Sequence, residues 1–227
     1  MKEKLIVALD VPSLRDAEVL VKQLAGIVPT FKVGKELFTA EGPEVVRMIH
    51  GYNAQVFLDL KYHDIPTTVA RAVTAAAGLG VFMLNLHAMG GSKMMLAASE
   101  AISNLEHQPI LLGVTVLTSM GQSDLHELNI SKAVDQQVAT LALLAIESGL
   151  NGVVASGHEA EMIRDACGKD FVIVTPGVRP KDANRHDQTR VLTPQEAINN
   201  GASYIVIGRP ITQAPNPADA AQEIIND

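Results

Sequence analysis

Eight short apolar runs rich in β-branched residues recur along the chain, at 5–9, 30–33, 55–60, 81–87, 110–117, 152–155, 171–175 and 204–207. Most are continuous rather than alternating, which is how strands covered on both faces of a parallel sheet look. Between them lie stretches at helical spacing: 14–25, 44–50, 67–77, 92–102, 131–148, 159–167, 194–199 and 217–225. The first of these shows how such a stretch begins. Ser13 precedes it and Asp16 follows three residues on, a near capping box with Asp in place of Glu, while Leu14, Ala17, Val21 and Leu24 share one face. Strands and helices in alternation demand crossover connections and parallel strands, which leaves a doubly wound open sheet or a closed barrel. Eight units within 227 residues favour the α/β class and a (β/α)8 TIM barrel, read as a single domain over 1–227. The open sheet lacks its best support, because Leu9-Asp10-Val11-Pro12-Ser13 follows the first strand where a Gly-x-Gly-x-x-Gly would stand. No linker, charge block or low-complexity tract marks a boundary.

Composition narrows the function. With 47% hydrophobic and 19% charged residues the chain can build an ordinary core, and a net charge of −7 disfavours coating nucleic acid or an anionic membrane. Any anion it binds must be gripped locally. No apolar stretch approaches the roughly 18 residues of a spanning helix. A single cysteine, Cys167, cannot form an internal disulfide, and Met1 leads directly into a strand-like run, so the expected compartment is a reducing cytoplasm.

The chemistry concentrates where strands end. In Phe57-Leu58-Asp59-Leu60-Lys61-Tyr62-His63-Asp64-Ile65 an apolar strand closes in a cluster of charges, and Asp59 and Lys61, two apart, point to the same face. Burying such a pair carries a penalty of several kcal/mol per ion unless attraction and hydrogen bonds offset it, and a fold with no use for the pair could place Val there. Asp10 ends the first strand and Lys32 lies inside the second. Taken singly, Lys32 fits a snorkelling stem, Asp10 a turn cap and Asp59–Lys61 a structural ion pair. Their coincidence at one rim of a barrel points to a site. At the far end, Gly177-Val178-Arg179 follows the seventh strand and Gly208-Arg209-Pro210 the eighth, where many barrels bind phosphate. Glycine lets backbone N–H groups approach an anion, and guanidinium adds paired charge-assisted bonds. Two long segments, 120–130 and 179–190, fall at the same face. His63, His87 and His126 lack zinc-site spacing, Cys167 has no nearby base, and Met83, Met89, Met94 and Met95 read as packing residues, so no metal site is expected.

Together the segments Asp59-Leu60-Lys61-Tyr62-His63-Asp64-Ile65-Pro66, Leu117-Thr118-Ser119, Thr175-Pro176-Gly177-Val178-Arg179-Pro180 and Ile205-Val206-Ile207-Gly208-Arg209-Pro210, with Asp10 and Lys32 upstream, resemble the orotidine 5′-phosphate decarboxylase family over nearly the whole chain. Asp-x-Lys-x-x-Asp is shared with sugar-phosphate decarboxylases and synthases of the same barrel superfamily, whereas His63-Asp64-Ile65-Pro66 and the downstream segments belong to the orotidylate branch. Thr67 stands where Asn is common and Met89 where a small residue is usual; neither touches a charge.

The resemblance implies decarboxylation of orotidine 5′-monophosphate to uridine 5′-monophosphate, the last step of pyrimidine synthesis, with no cofactor and in a homodimer. It makes Lys61 the proton donor to C6 and puts Asp59 beside the departing carboxylate. Asp64 would reach across the interface into the neighbouring site. Lys32 would hold Asp59 and a ribose hydroxyl, Asp10 would also meet the ribose, and Thr118 with Ser119 would face the pyrimidine. Ile65, Thr68 and Pro176 would add substrate contacts. Arg179, Gln188, Gly208 and Arg209 would take the phosphate, with 179–190 as a closing loop. The enzymatic rival is an Mg²⁺-dependent sugar-phosphate decarboxylase or synthase; a barrel that binds phosphate without catalysis is the other.

Overall fold

The computed structural model describes residues 1–179 and 192–227. Eight parallel strands form a closed barrel in chain order: β1 (Leu5–Ala8), β2 (Thr30–Gly34), β3 (Gln55–Tyr62), β4 (Met83–His87), β5 (Ile110–Val114), β6 (Gly152–Val154), β7 (Val172–Pro176) and β8 (Tyr204–Ile207). The ring closes where Leu5 pairs with Ile205 and Val7 with Ile207. Among the described residues the helices are α1 (Leu14–Leu24), α2 (Lys35–Glu41), α3 (Glu44–Gly51), α4 (Pro66–Ala77), α5 (Ser92–Ile102), α6 (Gln122–Glu127), α7 (Val134–Glu147), α8 (Ala160–Cys167), α9 (Pro194–Asn199), α10 (Arg209–Thr212) and α11 (Pro217–Asn226). The (β/α)8 barrel expected from the alternation is the fold observed.

Strand periodicity separates two cores. Leu5, Val7, Phe31, Val33, Val56, Leu58, Leu84 and Leu86 face outward onto the helices in one large buried cluster. Ile6, Ala8, Phe57, Met83, Leu112, Val174 and Val206 fill the barrel interior in a second. Both strand faces are therefore covered, which explains runs too continuous to show alternation. Capping follows the expected chemistry at α1, where Ser13 Oγ accepts the Asp16 N–H at 3.2 Å.

Several boundaries differ from the periodicity. β5 ends at Val114; beyond it the Thr115 N–H still donates to the Val154 carbonyl at 3.2 Å, but residues 115–117 are no longer strand. Strand β3 runs two residues further, to Tyr62. Helix α2 follows β2 without a loop, so no turn residue announces it, and α10 begins directly at Arg209. Segment 120–130 carries α6, whose start is closed by Asp124 accepting the Gly121 N–H at 2.7 Å. Met83, Met94 and Met95 are buried as expected of packing residues, but Met89 is exposed.

Candidate active site

Interior positions alternate along every strand, so the register states which residues meet at the C-terminal rim. Lys32 pairs with Phe57 and Gly34 with Asp59, which sets Lys32 one interior level below Asp59. At the level above Lys32, β2 presents Gly34, and a Cβ there would stand 3.3 Å from both the Lys32 ammonium and the Asp10 carboxylate. The glycine leaves room for the Lys32 side chain to rise between two carboxylates. Its Nζ lies 3.0 Å from Asp10 Oδ1 and 3.4 Å from Asp59 Oδ2. The other Asp59 oxygen takes the Lys61 ammonium at 2.5 Å. The four charges expected to gather at one rim do so.

The way Lys61 reaches Asp59 was not visible in the strand period. Along β3 and β4 the pairs are Phe57–Met83 and Leu58–Leu84, and the next is Tyr62–Leu86, so β3 bulges between them. Within the bulge Lys61 has φ +52°, a left-handed conformation that a long side chain adopts at a cost of about 1–2 kcal/mol. Asn85, on β4, spans the gap. Its Oδ1 accepts the Lys61 backbone N–H at 2.8 Å and its Nδ2 donates to Asp59 Oδ1 at 2.7 Å. Sequence reasoning passed over Asn85. The available signal was a lone amide among Met83-Leu84-Asn85-Leu86, a residue costly to bury without partners.

Burial alone would push the Asp59 carboxyl upward, but attraction from Lys32 and Lys61 and hydrogen bonds from Lys61 and Asn85 outweigh it, holding the group below the usual carboxylate range. His87, at the end of β4, tilts against His63 with ring centroids 5.4 Å apart. Burial, then the neighbouring His63, Lys35 and Lys61, lower its pKa to about 4, against a smaller opposing pull from Asp59. His87 is thus a neutral ring beside the array at neutral pH.

A pocket of roughly 160 Å³ is lined by Lys32, Asp59 and Lys61 of the array together with Val114, Val154, Ala155 and Val206; Thr118 and Pro176 also line it. Ser119 lines an adjoining recess with Thr118, Met120 and Gly177. A further space of roughly 200 Å³ shares Lys32, Pro176 and Val206 with the pocket and extends to Asp10, Arg179, Gly208 and Arg209. One continuous groove therefore runs from the charged array to the loops after β7 and β8. Gly177 has φ +78°, which lets the chain turn sharply after β7, and Arg179 beyond it is buried.

Three expected residues stand apart. Asp64 is exposed and its carboxylate accepts the Ile65 N–H at 2.6 Å, while Ile65 and Thr68 are exposed beside it. Gln188 and most of the 179–190 loop lie outside the described residues. Among the described residues no group of three or more His, Cys, Asp or Glu could hold a metal ion. No helix there is long and apolar enough to cross a membrane.

A barrel whose C-terminal rim joins a buried ionic cluster to a groove ending at Gly-Arg loops has the form of a (β/α)8 enzyme. The sequence model of the Orotidine 5'-phosphate decarboxylase / HUMPS family matches residues 3–224, and the chain belongs to that family. It is 51% identical over 231 aligned residues to the orotidine 5′-phosphate decarboxylase of Syntrophotalea carbinolica, covering 100% of this chain and 95% of that protein. To that of Moorella thermoacetica it is 54% identical, covering 98% of this chain and 91% of the relative. The crystal structure of orotidine 5′-phosphate decarboxylase from Lactobacillus acidophilus superposes with a TM-score of 0.87 at 36% identity, over 99% of this chain and 98% of that one. Within its family the chain stands with these carboxy-lyases.

Proposed function

We propose that the protein converts orotidine 5′-monophosphate to uridine 5′-monophosphate and CO2 in the cytoplasm, at the end of pyrimidine synthesis, with neither metal nor organic cofactor. The observation that carries this reading is the setting of Asp59. The residue is buried, clamped between two ammonium groups and an amide, and set in the wall of a groove that continues to the Gly-Arg loops.

Breaking the C6–carboxylate bond leaves the electron pair on C6, where the ring offers no conjugated sink. The protein must stabilise that charge electrostatically and supply a proton. The Lys61 ammonium meets both needs: it faces the carbanion as the charge develops, then transfers its proton to C6 and is recharged from water. Ionised Asp59 faces the substrate carboxylate, and loss of neutral CO2 relieves that like-charge contact. Lys32 counters Asp59 from below and, with Asp10, meets the ribose. Thr118 and Ser119 face the pyrimidine, beside Pro176. Arg179, Gln188, Gly208 and Arg209 bind the phosphate, and binding energy gathered there, far from C6, helps to organise the array.

The working unit in this reading is a homodimer. Ile65 is 66% exposed, a large apolar side chain standing next to Asp64 on the β3–α4 connection. Across a two-fold axis this loop and the first turn of α4 carry Asp64, Ile65 and Thr68 to the partner's groove, where Asp64 completes the alternating charges.

The test is the loss of orotidylate absorbance, with uridine 5′-monophosphate identified as product, before and after exhaustive EDTA treatment. Lys32 and Lys61 already neutralise Asp59, so turnover is expected to be unchanged by chelation. Activity restored only by Mg²⁺, or no consumption of orotidylate, would overturn the reading in favour of a sugar-phosphate enzyme of the same family.

A further inference from the structure

We propose that Asn85 is a positioning residue for this reaction: its buried amide holds the Asp59 carboxylate and the left-handed Lys61 backbone in one fixed arrangement. The inference rests on the decarboxylase reading and extends it to a residue on a neighbouring strand. Asn85 is fully buried at an interior position of β4, one level above Met83 and next to Leu112 of β5. Its interior neighbours Met83 and Leu112 are apolar, so an amide here is unfavourable unless both ends are paired.

Both ends are paired, and each to the array. A backbone N–H can only donate and an ionised carboxylate can only accept, so the amide orientation is dictated: oxygen toward Lys61 N, nitrogen toward Asp59 Oδ1. The bulge explains why a side chain is needed. From Leu58–Leu84 to Tyr62–Leu86, β3 advances four residues while β4 advances two, so the intervening β3 residues lose their regular ladder partners. Asn85 Oδ1 takes the place of a ladder carbonyl for Lys61. Its other end fixes the same Asp59 oxygen that receives the Lys61 ammonium. One amide thus sets the backbone from which Lys61 projects and the carboxylate toward which it points. Proton delivery to carbon depends steeply on such placement. The groove toward Arg209 does not include Asn85, so substrate grip is left alone.

The test compares wild type, Asn85→Ala and Asn85→Asp by steady-state kinetics with orotidine 5′-monophosphate and by calorimetric titration with uridine 5′-monophosphate. Alanine removes both bonds; aspartate keeps the shape and the acceptor for Lys61 N–H but replaces the amide donor to Asp59 with a second carboxyl group, a like charge unless it is protonated. Expected is a fall in kcat of at least tenfold in each, with KM and product affinity within threefold of wild type. Should Asn85→Ala fail to fold, Asn85→Asp decides. A kcat within threefold of wild type in a folded variant, a loss falling equally on KM and product affinity, or failure of both variants to fold would overturn the proposal. Wild-type enzyme inert toward orotidylate would instead overturn the underlying reading, before any variant is compared.

Discussion

The two halves of the C-terminal rim are built by different means. On β2–β4 the site consists of side chains sunk into the barrel: Lys32 and Asp59 are nearly buried, Asn85 wholly so, and each is held by at least one other. On β7–β8 it consists of loops around Gly177 and Gly208, with Arg209 exposed and Arg179 buried at the edge of the groove. The first half is a lattice of paired charges sunk into the barrel wall, suited to a charge that develops in one place. The second is open, suited to a group that must enter and leave. If the proposed function holds, chemistry and grip are separable by substitution in one half or the other.

The largest effect is expected at the centre of the charged half. In the proposed mechanism Lys61→Ala removes the proton donor and the charge facing C6, so turnover should fall by about 10⁴-fold or more, from the combined loss of general-acid and electrostatic catalysis. Binding of uridine 5′-monophosphate should persist, because the groove toward Arg209 is untouched. Near-normal turnover, with contaminating host enzyme excluded, would break the division of labour.

A smaller but more diagnostic change concerns Asp64, an expected catalytic charge that stands exposed on the β3–α4 connection. Asp64→Ala should be strongly impaired alone. Refolded with Lys61→Ala so that subunits exchange, it should restore activity to about one quarter of wild type, since half the dimers of an equal mixture are mixed and each has one intact site. No recovery above the two parents, with mixed dimers confirmed by mass spectrometry, would place Asp64 in its own subunit's site or outside catalysis.

The two halves were also unequally legible in the sequence. Charges that end apolar strands stand out against their surroundings, so Asp10, Lys32, Asp59 and Lys61 could be gathered at one rim from period and order alone. The closed barrel followed from the same repeats. What could not be read was the geometry that a period-2 rule cannot contain. The β3 bulge and the φ of +52° at Lys61 leave no compositional mark, because the residue is not glycine. Asn85 was passed over because its role depends on that bulge. On the β7–β8 side the Gly-Arg loops were legible as an anion site, but α10 was not, being four residues long and led by Arg209 and Pro210 rather than by a capping side chain. The run at 110–117 misled for a different reason. Val116 stays buried outside any strand, and hydrophobicity cannot distinguish a ladder residue from an apolar loop wall.

The claim that grip and chemistry reside in separate halves is tested most directly by crossing one substitution with one substrate truncation. Arg209→Ala and wild type are each assayed with orotidine 5′-monophosphate and with orotidine, which lacks the phosphate. Loss of charge-assisted bonds worth about 1.5–3 kcal/mol predicts a fall in kcat/KM of about 10- to 150-fold for the phosphorylated substrate. The slow reaction of orotidine should be the same in both proteins. Equal fractional loss on both substrates would mean that Arg209 supports the fold or the charged array, and would contradict the separation.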